Sequence, residues 1–243
     1  MQADVRLEHQ LLALEGEHDL HCMLELEAPA PPGAARRLPL HVALVLDRSG
    51  SMAGEKLRVA LACARHLVRR LRPADRFALV TYDHEVELRV PLGPVDPVRV
   101  DAALAGVAPG GQTNLSGGWL EGAEALRAVP SGSGPRKVLL LTDGLANVGI
   151  TDPEDLVALT RRAGDDGIGT TTIGFGADFD EVLLSGMAEA GGGNFQYIAH
   201  PRELRGFFER ELGELLTVVA TNLTLSLTLP SGVRAHLISA FPS

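Results

Sequence analysis

The sequence predicts an α/β protein. Its main body should be a doubly wound, mostly parallel six-stranded sheet with one antiparallel edge strand, inserted in a small antiparallel β-sandwich formed by both termini. Three observations carry this expectation. From residue 40 onward, apolar strand-like runs alternate with amphipathic helical patterns, the signature of a parallel sheet covered on both faces. Polar, glycine-rich loops follow the carboxyl ends of those runs, where open α/β sheets build their ligand sites. Both ends of the chain show instead a period of two, which belongs to antiparallel strands with one apolar face.

The elements follow in order. Residues 4 to 14 and 18 to 28 read as strands around the polar turn Glu15-Gly16-Glu17, with Leu20, Cys22, Leu24 and Leu26 alternating with His21, Met23, Glu25 and Glu27. The run 40 to 46 is a buried strand, and 55 to 72 is a helix with Leu57, Ala60, Leu61, Ala64, Leu67, Val68 and Leu71 on one stripe. Lys56, Arg65, Arg69, Arg70 and Arg72 lie off that stripe and read as a solvated face. A strand at 76 to 82 turns at Asp83-His84-Glu85 into a return arm at 86 to 90, an edge strand. Pro91, Gly93, Pro94 and Pro97 then break the chain before a helix near 98 to 106. Another helix starts near Ser116, a surface loop spans 130 to 135, and strands follow at 137 to 142, 168 to 175 and 194 to 198. Gly174-Phe175-Gly176 is a strand-to-helix turn, since Phe179 stands where a dinucleotide fingerprint needs its third glycine. A last helix is expected at about 202 to 217, then strands at 221 to 229 and 233 to 238 joined by Pro230-Ser231-Gly232. The domain boundaries expected from this pattern are 39–217 for the α/β domain, with 1–38 and 218–243 forming the discontinuous sandwich.

Composition narrows the function classes. The net charge of -9 offers no broad basic field for nucleic acid and is repelled by anionic membranes. An aromatic fraction of 4% leaves no stacking platform for single strands. Cys22 and Cys63 are too few for a disulfide framework and read as reduced packing residues. The opening Met1-Gln2-Ala3-Asp4-Val5-Arg6 lacks a signal pattern, and no run approaches the ~20 apolar residues of a membrane span. A cytoplasmic location is therefore the default expectation. The end at Ala240-Phe241-Pro242-Ser243, directly after a strand-like run, is compatible with a piece of a longer protein.

The chemistry gathers at three loops. Asp47-Arg48-Ser49-Gly50-Ser51 follows the first buried strand, so Asp47, Ser49 and Ser51 direct hard oxygen ligands into one space, suited to Mg²⁺ or Mn²⁺. Thr113 stands in the glycine-rich Gly110-Gly111-Gln112-Thr113-Asn114-Leu115, and Asp143 follows a later strand as Thr142-Asp143-Gly144. A sheet of order 3-2-1-4-5-6 places the strands ending at Leu46 and Thr142 side by side, so Asp47 and Asp143 flank one crevice. Each residue also has a plainer reading: Asp47 and Thr113 are both suited to cap the helices that follow them.

Asp-x-Ser-x-Ser, then a threonine in a glycine-rich loop, then Thr-Asp-Gly, in this order, resembles the metal-ion-dependent adhesion site of von Willebrand factor type A domains, over residues 38 to 217. The resemblance implies a Rossmann-like domain with flanking strands, as in many bacterial members, and a metal held by Asp47, Ser49, Ser51, Thr113 and Asp143. It implies Mg²⁺, with Mn²⁺ or Ca²⁺ as alternatives, and a protein partner that completes the coordination with an Asp or Glu carboxylate. The expected function is metal-dependent protein binding without catalysis. The alternatives are a metal-assisted hydrolase or phosphotransferase, and a scaffold whose site is unused. Against the enzyme, no Walker sequence occurs and Gly50-Ser51-Met52-Ala53-Gly54 is not a Gly-x-Ser-x-Gly elbow.

Overall fold

The structure, a computed structural model, describes residues 2–9, 18–27, 38–143, 145–175, 179–198, 206, 210, 226, 228–229, 231–236 and 238. By contacts the chain divides into two compact units, Ala35–Thr217 and a second made of Met1–Ala34 with Val218–Ser243. In chain order the strands are β1 Gln2–Leu7, β2 Cys22–Glu27, β3 His41–Asp47, β4 Arg76–Tyr82, β5 Val86–Pro94, β6 Arg136–Thr142, β7 Ile168–Phe175 and β8 Phe195–Ile198. The helices are α1 Glu55–Arg70, α2 Pro97–Ala105, α3 Leu115–Arg127, α4 Pro153–Asp165 and α5 Glu181–Ala190.

The larger unit is built on a six-stranded sheet of order β5-β4-β3-β6-β7-β8, in which only the β4–β5 pair is antiparallel. This is the doubly wound arrangement expected, with β3 central and β6 beside it. Every residue of β3 is buried, because both of its faces are covered. Val42, Leu44 and Leu46 pack with Leu57, Leu67, Val100 and Leu104 of α1 and α2. Ala43 and Val45 face the other way, into a core with Trp119, Leu126, Leu156 and Leu184 of α3, α4 and α5. The indole of Trp119 donates to the Thr170 hydroxyl at 3.1 Å, so its buried N–H is satisfied. Helix α3 lies close on the sheet through its glycines: a Cβ on Gly122 would sit 2.4 Å from Val45 and one on Gly118 2.4 Å from the Tyr82 ring.

The edge strand runs further than the prolines suggested. β5 continues through Pro91 to Pro94, with register shifts against β4 between Phe77 and Leu79 and between Leu79 and Val80. An outer edge needs no hydrogen bonds on one side, so a proline there costs the ladder nothing. Helix α2 starts at Pro97, with Asp96 as its cap, because proline is favoured at the first helical position. The basic face of α1 is also less free than expected: Arg65 and Arg69 pair with Asp101 of α2 at 3.2 and 3.7 Å.

His41 opens β3 and is buried, with Nδ1 lacking a partner and Nε2 3.4 Å from the Ser133 carbonyl oxygen. Burial holds its pKa below the ordinary 6.5. As pH falls through about 6.5, the unfolded chain takes up a proton that the folded chain resists, so stability declines from there down to the folded pKa. Urea titrations between pH 7 and 5 should show that decline in the parent and a flatter profile in His41→Gln.

In the smaller unit β1 and β2 pair antiparallel, with Val5 opposite Leu24 and Leu7 opposite Cys22 on one apolar face. Both strands are shorter than expected. Residues 8–9 and 18–21 lie outside them, although Glu8 N still donates to the His21 carbonyl at 3.0 Å. Cys22 is free but exposed, contrary to its reading as a packing residue; Cys63 is free and buried, and burial raises its thiol to about 11. The turn at Ser231-Gly232 is present, with Gly232 at φ 86°. Yet the described residues around it, 226, 228–229, 233–236 and 238, lie in no strand. Alternation marks a face that suits pleating, whereas a strand also requires a hydrogen-bonded neighbour. Gly206 and Arg210 are helical, and the rest of the expected last helix lies outside the described residues, as do the other parts of the C-terminal hairpin. Among the described residues, no helix is long and apolar enough to cross a membrane.

Candidate metal centre

β3 delivers Asp47 to its carboxyl tip, where the side chain is fully buried. One carboxylate oxygen accepts the Ser49 backbone N–H at 2.7 Å, which folds the loop back over the strand end, and the other accepts the Thr142 hydroxyl at 2.6 Å. A short 3-10 turn, Gly50–Met52, then brings Ser51 over Ser49, anchored by the buried Met52. The two seryl oxygens are 3.1 Å apart, and Ser51 donates to Asp143 at 2.7 Å. Pairing of β3 with β6, Leu46 opposite Leu141, is what sets Asp143 across from this loop.

Thr113 is buried on the third loop, held by backbone bonds on both sides. Gly50 N donates to Gly111 O at 2.9 Å and Gly110 N to Arg48 O at 2.7 Å, joining this loop to the first. Thr113 N donates to the Asn147 side chain at 2.8 Å, while Asn147 N and Val148 N return to Thr113 O at 3.1 and 3.2 Å, joining it to the segment after Asp143. The capping alternatives do not hold. Gly54 is the cap of α1 and Asn114, accepting from Gly117 N, is the cap of α3.

Asp83 ties these loops together, and its importance was hidden inside a hairpin turn. Its carboxylate accepts from Glu85 N at 2.8 Å, Gly111 N at 3.0 Å and the Arg48 guanidinium at 3.0 Å. A Cβ on Gly110 would lie 1.6 Å from that carboxylate, so only glycine fits there. Lys56 was also misplaced on the solvated face: its ammonium contacts the second oxygen of Asp143 at 2.5 Å. A lysine in the first turn of a helix, where the dipole disfavours a cation, was the signal available. Asp180 caps α5, and His84 is about half exposed beside Asp83.

Burial raises the Asp47 pKa, and the nearby Asp143 charge adds to this, against the lowering effect of the Thr142 and Ser49 hydrogen bonds. Tyr82, paired in register with Asp47 on β4, is fully buried, and burial first and then the Asp47 charge push its phenol pKa well above 10. Two buried carboxylates beside neutral seryl and threonyl hydroxyls offer a set of hard oxygen donors. That donor chemistry fits a hard divalent cation. Among the described residues, no group of three or more His, Cys, Asp and Glu offers a competing site.

Residues 41–210 match the family model of the von Willebrand factor type A domain. An uncharacterized Escherichia coli protein, YfbK, is 29% identical over 207 residues, covering 83% of this chain and 36% of its own length. A von Willebrand factor type A structure from Catenulispora acidiphila superposes with TM-score 0.63 at 24% identity, covering 72% of this chain and 42% of that one. Proximal thread matrix protein 1 of the mussel byssus, in a structure described as having a zinc-occupied metal-ion-dependent adhesion site, gives TM-score 0.58 at 24% identity over 72% of this chain and 45% of that one. The chain thus spans about a third of that curated relative and under half of either structure.

Proposed function

Because the chain belongs to the von Willebrand factor type A family, whose domains are typically metal-dependent protein-interaction modules, we propose that it binds a partner protein through a divalent cation at a complete metal-ion-dependent adhesion site. Asp47, Ser49, Ser51, Thr113 and Asp143 would hold the ion. When bound, it supplies an electrophilic position for an anionic ligand. Only Asp47 and Asp143 bring charge, and the seryl and threonyl oxygens are neutral, so the site favours one more carboxylate, an Asp or Glu of the partner. The observation that carries this reading is the hydrogen-bonded run of oxygens from Ser49 through Ser51 to Asp143 beside the buried Asp47. Mg²⁺ is the ion proposed, with Mn²⁺ and Ca²⁺ as alternatives, and the zinc of the mussel protein adds Zn²⁺ to the ions to be compared. The binding module is residues 39–217, with 1–38 and 218–243 as a flanking unit.

The activity is binding without turnover. Phosphatase and nucleotide-hydrolysis assays with Mg²⁺ check this directly, and turnover lost in Asp47→Asn would replace the binding reading with an enzymatic one. Affinity capture in Mg²⁺ with elution by chelator is the positive test. Thr113→Ala should lose most of the captured partner, whereas Arg65→Ala and Arg69→Ala should stay within about threefold of the parent, because those charges are remote from the site. The opposite ranking would move the interface to the face of α1.

A further inference from the structure

Lys56 stands in a position that helix electrostatics disfavour. It is the second residue of α1, after the cap Gly54, where the unpaired N–H groups present a positive field that favours anions. Nevertheless its ammonium reaches Asp143 at 2.5 Å, and the Asp143 carboxylate is fully buried while the lysine side chain keeps 32% of its exposure. The other Asp143 oxygen already accepts the Ser51 hydroxyl at 2.7 Å. Both oxygens of this carboxylate are therefore occupied, one by a hydroxyl of the candidate site and one by a cation that the chain carries with it. Without Lys56, two buried carboxylates would share the crevice with no cation paired to Asp143 among the described residues.

We propose that Lys56 is a tethered counter-cation that neutralises Asp143 in the metal-free domain and competes with a divalent ion for that carboxylate, so that it sets the ion concentration at which the site fills. The proposal rests on the metal-site reading above and adds to it a residue that lowers ion affinity. A lysine supplies one charge from the solvent side on a flexible stem, so it can withdraw toward water when a doubly charged ion approaches. Replacing it removes the competitor while leaving every proposed ligand in place.

The test is calorimetric titration of the whole chain with Mg²⁺, for the parent, Lys56→Met, which keeps the packed stem, and Lys56→Gln. Both variants should bind Mg²⁺ at least about tenfold more tightly than the parent. Their metal-free melting temperatures should fall below that of the parent, and the gap should close at saturating Mg²⁺. Lys56→Arg, which retains the charge, should stay near parental affinity. Equal or weaker binding in Lys56→Met and Lys56→Gln, with a parent that binds Mg²⁺, overturns the role of Lys56 and leaves the metal site standing. If neither parent nor variant binds, the site reading and this proposal fail together.

Discussion

Asp47→Asn is expected to leave the metal-free domain at least as stable as the parent while removing its whole response to Mg²⁺. The carboxylate is fully buried, and its raised pKa, caused first by burial and then by the Asp143 charge, means that the ionised form is held at a cost. A carboxyl group with a raised folded pKa contributes stability only when protonated, so its contribution grows as pH falls from that value toward the ordinary 3.8 and is absent at neutral pH. Asparagine keeps an acceptor for the Ser49 N–H and discards the charge. In the parent, ion binding to the folded state alone adds RT ln(1 + [L]/Kd), about 2.7 kcal/mol at a hundredfold excess over Kd. Thermal melts with and without Mg²⁺ should show a rise in the parent and none in Asp47→Asn. A variant that melts well below the parent without metal would show that the ionised carboxylate stabilises the fold.

What the sequence made legible was whatever depends on local order along the chain. Val42 to Leu46 is apolar without interruption because both faces of a central parallel strand are covered, and the polar residues after it can only be a strand tip. With the strand order known, Asp47 and Asp143 had to be neighbours, and their loops do meet through Ser51. Roles created by convergence were not legible. Asp83 reads as one acid in a turn, and only the approach of Gly111 and Arg48 from two other loops makes it a junction. Lys56 carries the pattern of an exposed helix face, yet its reach onto Asp143 depends on where β6 ends. The prolines of β5 misled for a related reason, since whether a missing N–H matters depends on which side of the strand has a partner.

Asp83→Asn should then be among the most damaging single-atom exchanges near the site, although Asp83 is not a proposed ligand. Its carboxylate accepts two backbone N–H groups, from Glu85 and Gly111, and pairs with Arg48, whose side chain is only 15% exposed. An amide places an NH₂ against at least one of these donors and leaves the guanidinium without its charge partner. With a partly exposed arginine, the expected loss is about 2–3 kcal/mol, below the cost of breaking a fully buried pair. The pH profile separates this from simple loosening. Burial alone would raise the Asp83 pKa, but the N–H groups of Glu85 and Gly111, with Arg48 and His84 nearby, outweigh it and hold it below 3.8. Stability from such a group is complete above the unfolded value near 3.8 and disappears as pH falls through the lower folded value. The parent should therefore lose stability in that acid range, and Asp83→Asn, which has no carboxyl to titrate, should show a shallower slope there from a lower starting point. Because Gly110 and Gly111 join the Thr113 loop to Arg48 and Gly50, the same variant should also weaken Mg²⁺ binding in calorimetry, while Arg69→Ala, in the last turn of α1 and paired with Asp101, should not. Parental Mg²⁺ affinity in Asp83→Asn would mean that the loops hold their positions without this carboxylate, through backbone bonds alone.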